Sequence, residues 1–364
     1  MKSSISFRVG LVGLVVGVLA AVQILVAFEW DPAAFVKFGE EDPVLLAYAE
    51  QWIGEDVLLA PALGHDGKFF FMQAMDPFYL EPGKHAAFLD RPAYRAQRML
   101  YPTLASLGGL LDSRGVQWGL VIVNVLALCI GTYFTARVAQ LMGGPAWLGL
   151  AFALNPGLLS EIAIDGGGVV ATAGLMAGVF GILRRNTWWA VLGFTAGALA
   201  RETMILAAVG VIGFQIWKQK KLPGWPWALP FAAVGCWWVF LRLRLEEGLG
   251  QDLQAVDLPL VGFVKAMRRW MTGADLALDM ALGLLILAVC VVVLYRALTR
   301  PTVLGASVAG LAALALLMSE PVWYRYFDSS RAVAPVLTAF IVMTITRGRR
   351  GSEEAAKPAL TSHD

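Results

Sequence analysis

The chain has 364 residues, of which 58% are apolar, only 15% are charged, and the formal net charge is +2. A soluble domain carries roughly a quarter charged residues, so this excess of apolar side chain needs a bilayer as its solvent. A soluble enzyme, a disordered chain and a disulfide scaffold are excluded, and the small net charge gives no reason to expect a nucleic-acid partner.

In chain order, residues 9–28 are free of charge and long enough to cross, at ~20 residues per span. Ile24, Leu25, Val26 and Phe28 run up to the polar boundary with no small-residue cleavage site, so this reads as an uncleaved first span, not a signal peptide. Further charge-free stretches cover 116–136, 146–160, 166–183, 187–200, 203–217, 222–241, 280–295, 301–319 and 332–346. The stretches 187–200 and 203–217 are short and suggest a hairpin with Arg201 and Glu202 at its tip. The expected fold class is all-α: a polytopic membrane protein of about ten helices. Residues 1–346 form one membrane domain, 29–98 its large first outer loop, and 347–364 a polar cytoplasmic tail expected to be disordered. No internal repeat is visible.

Orientation follows from the basic residues. With the N-terminus inside, the inner connections hold Arg137, Arg184 and Arg185, Lys218, Lys220 and Lys221, Arg296 and Arg300, and Arg347, Arg349 and Arg350, with no acid before Glu353. The acids fall in the other connections, which puts both termini in the cytoplasm. Cys129, Cys236 and Cys290 lie in apolar runs and read as small hydrophobes.

The unusual polarity lies on the outer side. Val44, Leu45, Tyr48, Trp52 and Ile53 recur at helical spacing, either as a surface amphipathic helix or packed on the loop's own core. His65 and Asp66 stand between Gly64 and Gly67, ahead of Phe69, Phe70 and Phe71. A partly buried Asp66 carboxylate with its pKa raised toward working pH suits a general base; an Asx turn is the plainer reading. Asp76 precedes Pro77 and reads as a turn or cap, or as a second candidate acid. A divalent cation held by carboxylates stays open, since His65 finds no convincing His or Cys partner. No cofactor is otherwise indicated.

Arg91, Arg95 and Arg98, following Asp90 and flanking Pro92, fall at i, i+4 and i+7, which on a helix places three guanidinium groups on one face. Such a face is suited to phosphate, from a substrate or from lipid headgroups. Arg325, Asp328 and Arg331 exceed what an aromatic belt needs in the last outer loop. Arg201 and Glu202 would sit below the membrane surface, either paired with each other or facing a polar cavity. Gly166, Gly167, Gly168 and Ala171 fit a dinucleotide pattern but lack a preceding strand. The pairs Gly13/Gly17, Gly174/Gly178 and Gly193/Gly197 read as helix-packing sites.

With those residues in view, the sequence resembles the GT-C superfamily of integral-membrane glycosyltransferases, and within it bacterial relatives of the GPI-anchor second-mannose mannosyltransferase. The likeness rests on Asp66-Gly67-Lys68-Phe69-Phe70, on Tyr94-Arg95-Ala96-Gln97-Arg98-Met99-Leu100-Tyr101-Pro102, on Asn155-Pro156 and on Arg201-Glu202-Thr203. It departs from the family at His65, where an aromatic is usual. The resemblance implies a polyprenyl-phosphate sugar donor and a glycolipid, polysaccharide or protein acceptor, with membrane lipid around the site. It further implies an inverting transfer on the outer face of a bacterial plasma membrane. Asp66 would act as base, with Glu29 or Asp31 competing for that role. Arg95, Arg98, Arg201 and Arg331 would hold the phosphate. A transporter or lipid-linked-sugar flippase, or a non-enzymatic scaffold, are the alternative readings.

Overall fold

The computed structural model describes residues 2–54, 57–61, 64–110, 112–220, 222–245, 256–272 and 277–346; the tail 347–364 lies outside the described residues. The chain is mostly helical, and the strands among the described residues are Phe38–Gly39 and Leu59–Ala60, paired in parallel.

Among the described residues, four helices are long and apolar enough to cross a membrane: Ser4–Ala27, Ser113–Leu141, Trp225–Leu245 and Ala277–Thr299. Two further spans are broken. Ala146–Ala153 and Pro156–Ala163 meet at 45°, and Tyr326–Ala332 and Ala334–Ile345 meet at 70°. Gly168–Leu183, Thr187–Ala200 and Val303–Ala315 are shorter apolar helices. The expected apolar segments are thus helical, while by length six at most qualify as spans when each broken pair counts once. Val15, Leu19, Leu126, Ile130, Leu285 and Val291 lie exposed on these helices. Apolar exposure on this scale fits a surface that faces lipid.

The small residues set the packing. The first helix lies against Ser113–Leu141, with Gly13 over Thr132 and Gly17 over Leu128 and Val125. Gly168–Leu183 and Thr187–Ala200 approach backbone to backbone: a Cβ on Gly174 would stand 2.6 Å from the Gly197 nitrogen. The hairpin expectation is corrected here. Thr187–Ala200 packs chiefly on Gly168–Leu183, and Ile205–Gln219 packs on Val303–Ala315.

Both breaks occur where the sequence demands them. Asn155 caps the second half of the first broken span, accepting from the Gly157 N–H at 2.9 Å, with Pro156 next in line. Its amide also donates to the Ala334 carbonyl (2.8 Å) and to Thr338 Oγ1 (3.0 Å). One buried side chain therefore ties the two broken spans together at their bends.

The outer loop folds on itself. In helix Pro43–Trp52, capped by Asp42, Leu45, Tyr48 and Ala49 are buried. Tyr48 hydrogen-bonds His85 Nδ1 at 2.7 Å and packs against Phe38, Trp52 and Phe88. Of the two readings of this helix, packing on the loop's own core is the one observed. Trp237 Nε1 donates to the Ala96 carbonyl (2.8 Å) and Arg244 Nε to the Tyr79 carbonyl (2.6 Å), docking the loop onto helix Leu229–Leu245.

Candidate functional site

At one end of the helical bundle, five separated segments bring charged side chains together. Asp66 is placed by two glycines. Gly64 has φ +69°, a backbone state that favours glycine. A Cβ on Gly67 would stand 2.6 Å from the Ile164 carbonyl oxygen and 2.8 Å from those of Phe35 and Val36. The Asp-Gly pair is therefore fixed by close packing of the loop on the turn after Pro156–Ala163. Asp66 starts helix Gly67–Met75 without capping it, so the Asx-turn reading is not what forms. Its carboxylate instead accepts from Arg95 Nη1 at 2.9 Å and from Arg331 Nη2 at 3.3 Å.

The neighbouring ions complete a network. Arg95 is also held by Asp90 (2.9 Å) and lies over the Phe69 ring. Arg98 pairs with Glu202 at 3.2 Å. Arg331 donates to Glu161 (3.2 Å) and Asp328 (3.2 Å) as well as to Asp66. Arg201 donates to the Arg331 carbonyl at 3.3 Å and stands 4.0 Å from Glu161, while its buried Nε has no partner among the described residues. Arg201 and Glu202, expected either to pair with each other or to face a polar cavity, take other partners and line a cavity.

Two cavities meet at this network. The smaller, about 500 Å³, is lined by Asp42, Leu45, His65, Lys68, Phe88 and Asp90 among others. The larger, about 700 Å³, is lined by Arg98, Arg201 and Glu202 together with Leu314, Met318, Pro321, Val322 and Ala332. Asp66, Arg95, Asp328 and Arg331 line both. The Asp66 bridge thus lies where two cavities of mixed polar and apolar lining meet, the larger being the more apolar.

Electrostatics corrects the expectation for Asp66. Burial favours its neutral form, but Arg331, Arg95 and Arg98 outweigh burial and hold its pKa down to about 2. With no ligand bound, Asp66 is a firmly ionised, arginine-bound carboxylate, not one poised near neutrality. The His65 pKa is lowered by burial and then by Arg331, which keeps the imidazole neutral at neutral pH.

Other expectations are redistributed. Arg91, Arg95 and Arg98 do not share one helix: only Pro92–Arg95 is α-helical, Arg91 precedes it, and Arg98 lies beyond its end. Arg95 and Arg98 still converge on the cavities, whereas Arg91 does not line them. Asp76 ends helix Gly67–Met75 and accepts from the Leu80 and Glu81 N–H groups, both at 2.8 Å, in a turn. Asp31 accepts from the Ala33 N–H at 3.0 Å and lines neither cavity. Arg325 pairs with Asp279 (3.1 Å), which also accepts from the Tyr326 N–H, so it braces the last broken span instead of facing the cavities. Among the described residues no group of three or more His, Cys, Asp or Glu is arranged to hold a metal ion.

Glu161 is the residue that sequence reasoning missed. It is buried, accepts from Arg331 and receives the Gly168 N–H at 3.1 Å. A Cβ on Gly168 would stand 2.7 Å from its Oε1. The glycine run that mimics a nucleotide motif makes room for this carboxylate, and an acid inside an apolar stretch shortly before three glycines was the available signal.

No family model, curated protein or solved structure matches the chain. The fold and site define a helical protein, compatible with integral membrane residence, that carries an arginine–carboxylate cluster where two cavities meet.

Proposed function

We propose that this protein is an integral-membrane glycosyltransferase that moves a sugar from a polyprenyl-phosphate donor to an acceptor hydroxyl. The observation that carries the reading is the position of Asp66, a carboxylate in the lining shared by two cavities, the larger of which is lined by arginines and by apolar side chains together. A lipid-phosphate sugar has the matching chemistry: an anionic head for Arg98, Arg201 and Arg331, and a hydrocarbon tail for Leu314, Met318 and Val322. The partnerless Nε of Arg201 offers one more donor to a phosphate oxygen.

The acceptor occupies the smaller cavity beside His65, Lys68 and Asp90. Its hydroxyl oxygen attacks C1 of the sugar as the C1–O bond to phosphate breaks, and the hydroxyl proton passes to Asp66. The arginines stabilise the departing phosphate, which counts most where water is scarce. One displacement inverts the anomeric centre. The resemblance to GT-C enzymes and the distribution of basic residues favour about ten helices, a bacterial plasma membrane, cytoplasmic termini and an outward-facing site.

One observation favours a second reading. The broken spans carry Glu161 in the second half of one and Arg331 beside the bend of the other, and discontinuous helices also build the binding sites of transporters. Purified protein in detergent separates the two. With radiolabelled polyprenyl-phosphate sugars and an acceptor panel, an enzyme forms covalent product without any compartment. A transporter forms none, and moves the lipid-linked sugar across the bilayer only in proteoliposomes.

A further inference from the structure

The arginines assigned to the phosphate are already occupied. Arg95, Arg98, Arg201 and Arg331 meet Asp66, Asp90, Glu161, Glu202 and Asp328, so four guanidinium groups already face five carboxylates in the shared network. A phosphate entering this network adds negative charge where carboxylates already outnumber arginines, and one carboxylate must yield its guanidinium partners; Asp90 lines only the smaller cavity. Glu161 is 4% exposed and anchored to a backbone N–H, and Glu202 holds Arg98 from inside the larger cavity. Asp66 is 31% exposed and accepts only from the two arginines that line both cavities.

Resting on the reading above, we infer that the donor phosphate binds by displacing Asp66 from Arg95 and Arg331, so that donor binding itself frees the carboxylate that receives the acceptor proton. With phosphate absent, both arginines neutralise Asp66 and it is a poor proton acceptor. With phosphate present, the same guanidinium groups turn to the phosphate oxygens. Asp66 loses its strongest partners, stays beside a newly bound anion and gains affinity for a proton. Transfer is then ordered, donor before acceptor.

The test is farnesyl phosphate binding to the full-length protein in detergent, with farnesol as the uncharged probe. Competition predicts that Asp66→Asn tightens farnesyl phosphate by about tenfold or more, because an arginine–carboxylate bond no longer has to be broken. Farnesol affinity stays unchanged, and Asp328→Asn, which frees only one guanidinium nitrogen of Arg331, gives a smaller gain. Equal or weaker binding to Asp66→Asn overturns the inference while wild-type binding keeps the enzyme reading. An equal gain in Asp328→Asn reduces the effect to net charge and also overturns it. Failure of both wild type and Asp66→Asn to bind farnesyl phosphate removes the donor reading and the inference together. The wild-type chain supplies a measurement independent of the variant's folding. Farnesyl phosphate should accelerate carbodiimide labelling of Asp66, which needs the protonated carboxyl; slower labelling contradicts displacement.

Discussion

Asp66, Arg331 and Glu161 form the centre of the account at the scale of single residues, and their roles separate by exposure. Glu161 is buried, and Arg331 is its nearest cation, at 3.2 Å. Arg331→Ala should therefore cost ~3–5 kcal/mol, the usual consequence of stranding a buried charge. Adding Glu161→Gln to Arg331→Ala should recover part of that loss, which a thermal-stability cycle in detergent measures. Asp165 behaves in the opposite sense. It lies fully buried in the turn between Pro156–Ala163 and Gly168–Leu183, 3.5 Å from the Tyr101 hydroxyl, and burial pushes its pKa well above the ordinary value of 3.8. A carboxyl whose folded pKa is raised loses stability as pH rises above its unfolded value. Asp165→Asn should thus be more stable than wild type at neutral pH, with the advantage shrinking toward about pH 4. Melting curves at pH 4 and pH 7 check it, and an advantage that grows at low pH contradicts it.

The candidate residues were legible in the sequence because charge in an apolar chain is conspicuous. Asp66, Arg95, Arg98, Arg201, Glu202, Asp328 and Arg331 all reach the cavities. Their partners were not legible. Which acid meets which arginine depends on how five segments distant in sequence converge, and that convergence also turns Asp66 from an expected raised pKa to a lowered one. Arg91 was misplaced for a local reason: the i, i+4, i+7 spacing assumes a continuous helix, and this one stops at Arg95.

At the scale of elements, glycines and one asparagine decide the packing. Gly174→Val places side-chain atoms against the Gly197 backbone and should cost ~1–3 kcal/mol or more, as overpacking does. Gly235→Ala meets nothing within 4 Å and should leave stability unchanged or raised. Asn155→Ala removes the tie between the two broken spans and should cost ~1–3 kcal/mol, since it strands buried polar groups. Comparing melting temperatures of the three variants tests the ranking. The small-xxx-small spacing marked Gly174 and Gly197 as packing positions in advance, whereas Asn155-Pro156 stood out only through the family resemblance. The partner of helix Ile205–Gln219 was not foreseeable, because an evenly apolar helix surface does not say which neighbour it meets.

For the whole molecule, the alternation of basic and acidic connections agrees with the contacts. Segments read as facing one side, around residues 66, 95, 161, 202 and 331, meet in the charged cluster. Segments read as facing the other side meet elsewhere: Ser6 with Gln140, Trp188 with Trp225, and Arg296 with Thr344. Cysteine substituted at Glu81 should react with impermeant maleimide from the outside of intact cells, and cysteine at Trp225 only after permeabilisation. The reverse pattern inverts the topology.

The central claim is that Asp66 receives the acceptor proton at a site that binds a lipid phosphate. It is tested most directly by measuring sugar transfer and donor affinity together in wild type and Asp66→Asn. Loss of a positioned base typically costs ~10²–10⁴-fold in rate. The account predicts a fall of that size in transfer with donor binding kept or tightened. Transfer that survives in Asp66→Asn at the wild-type rate would contradict it.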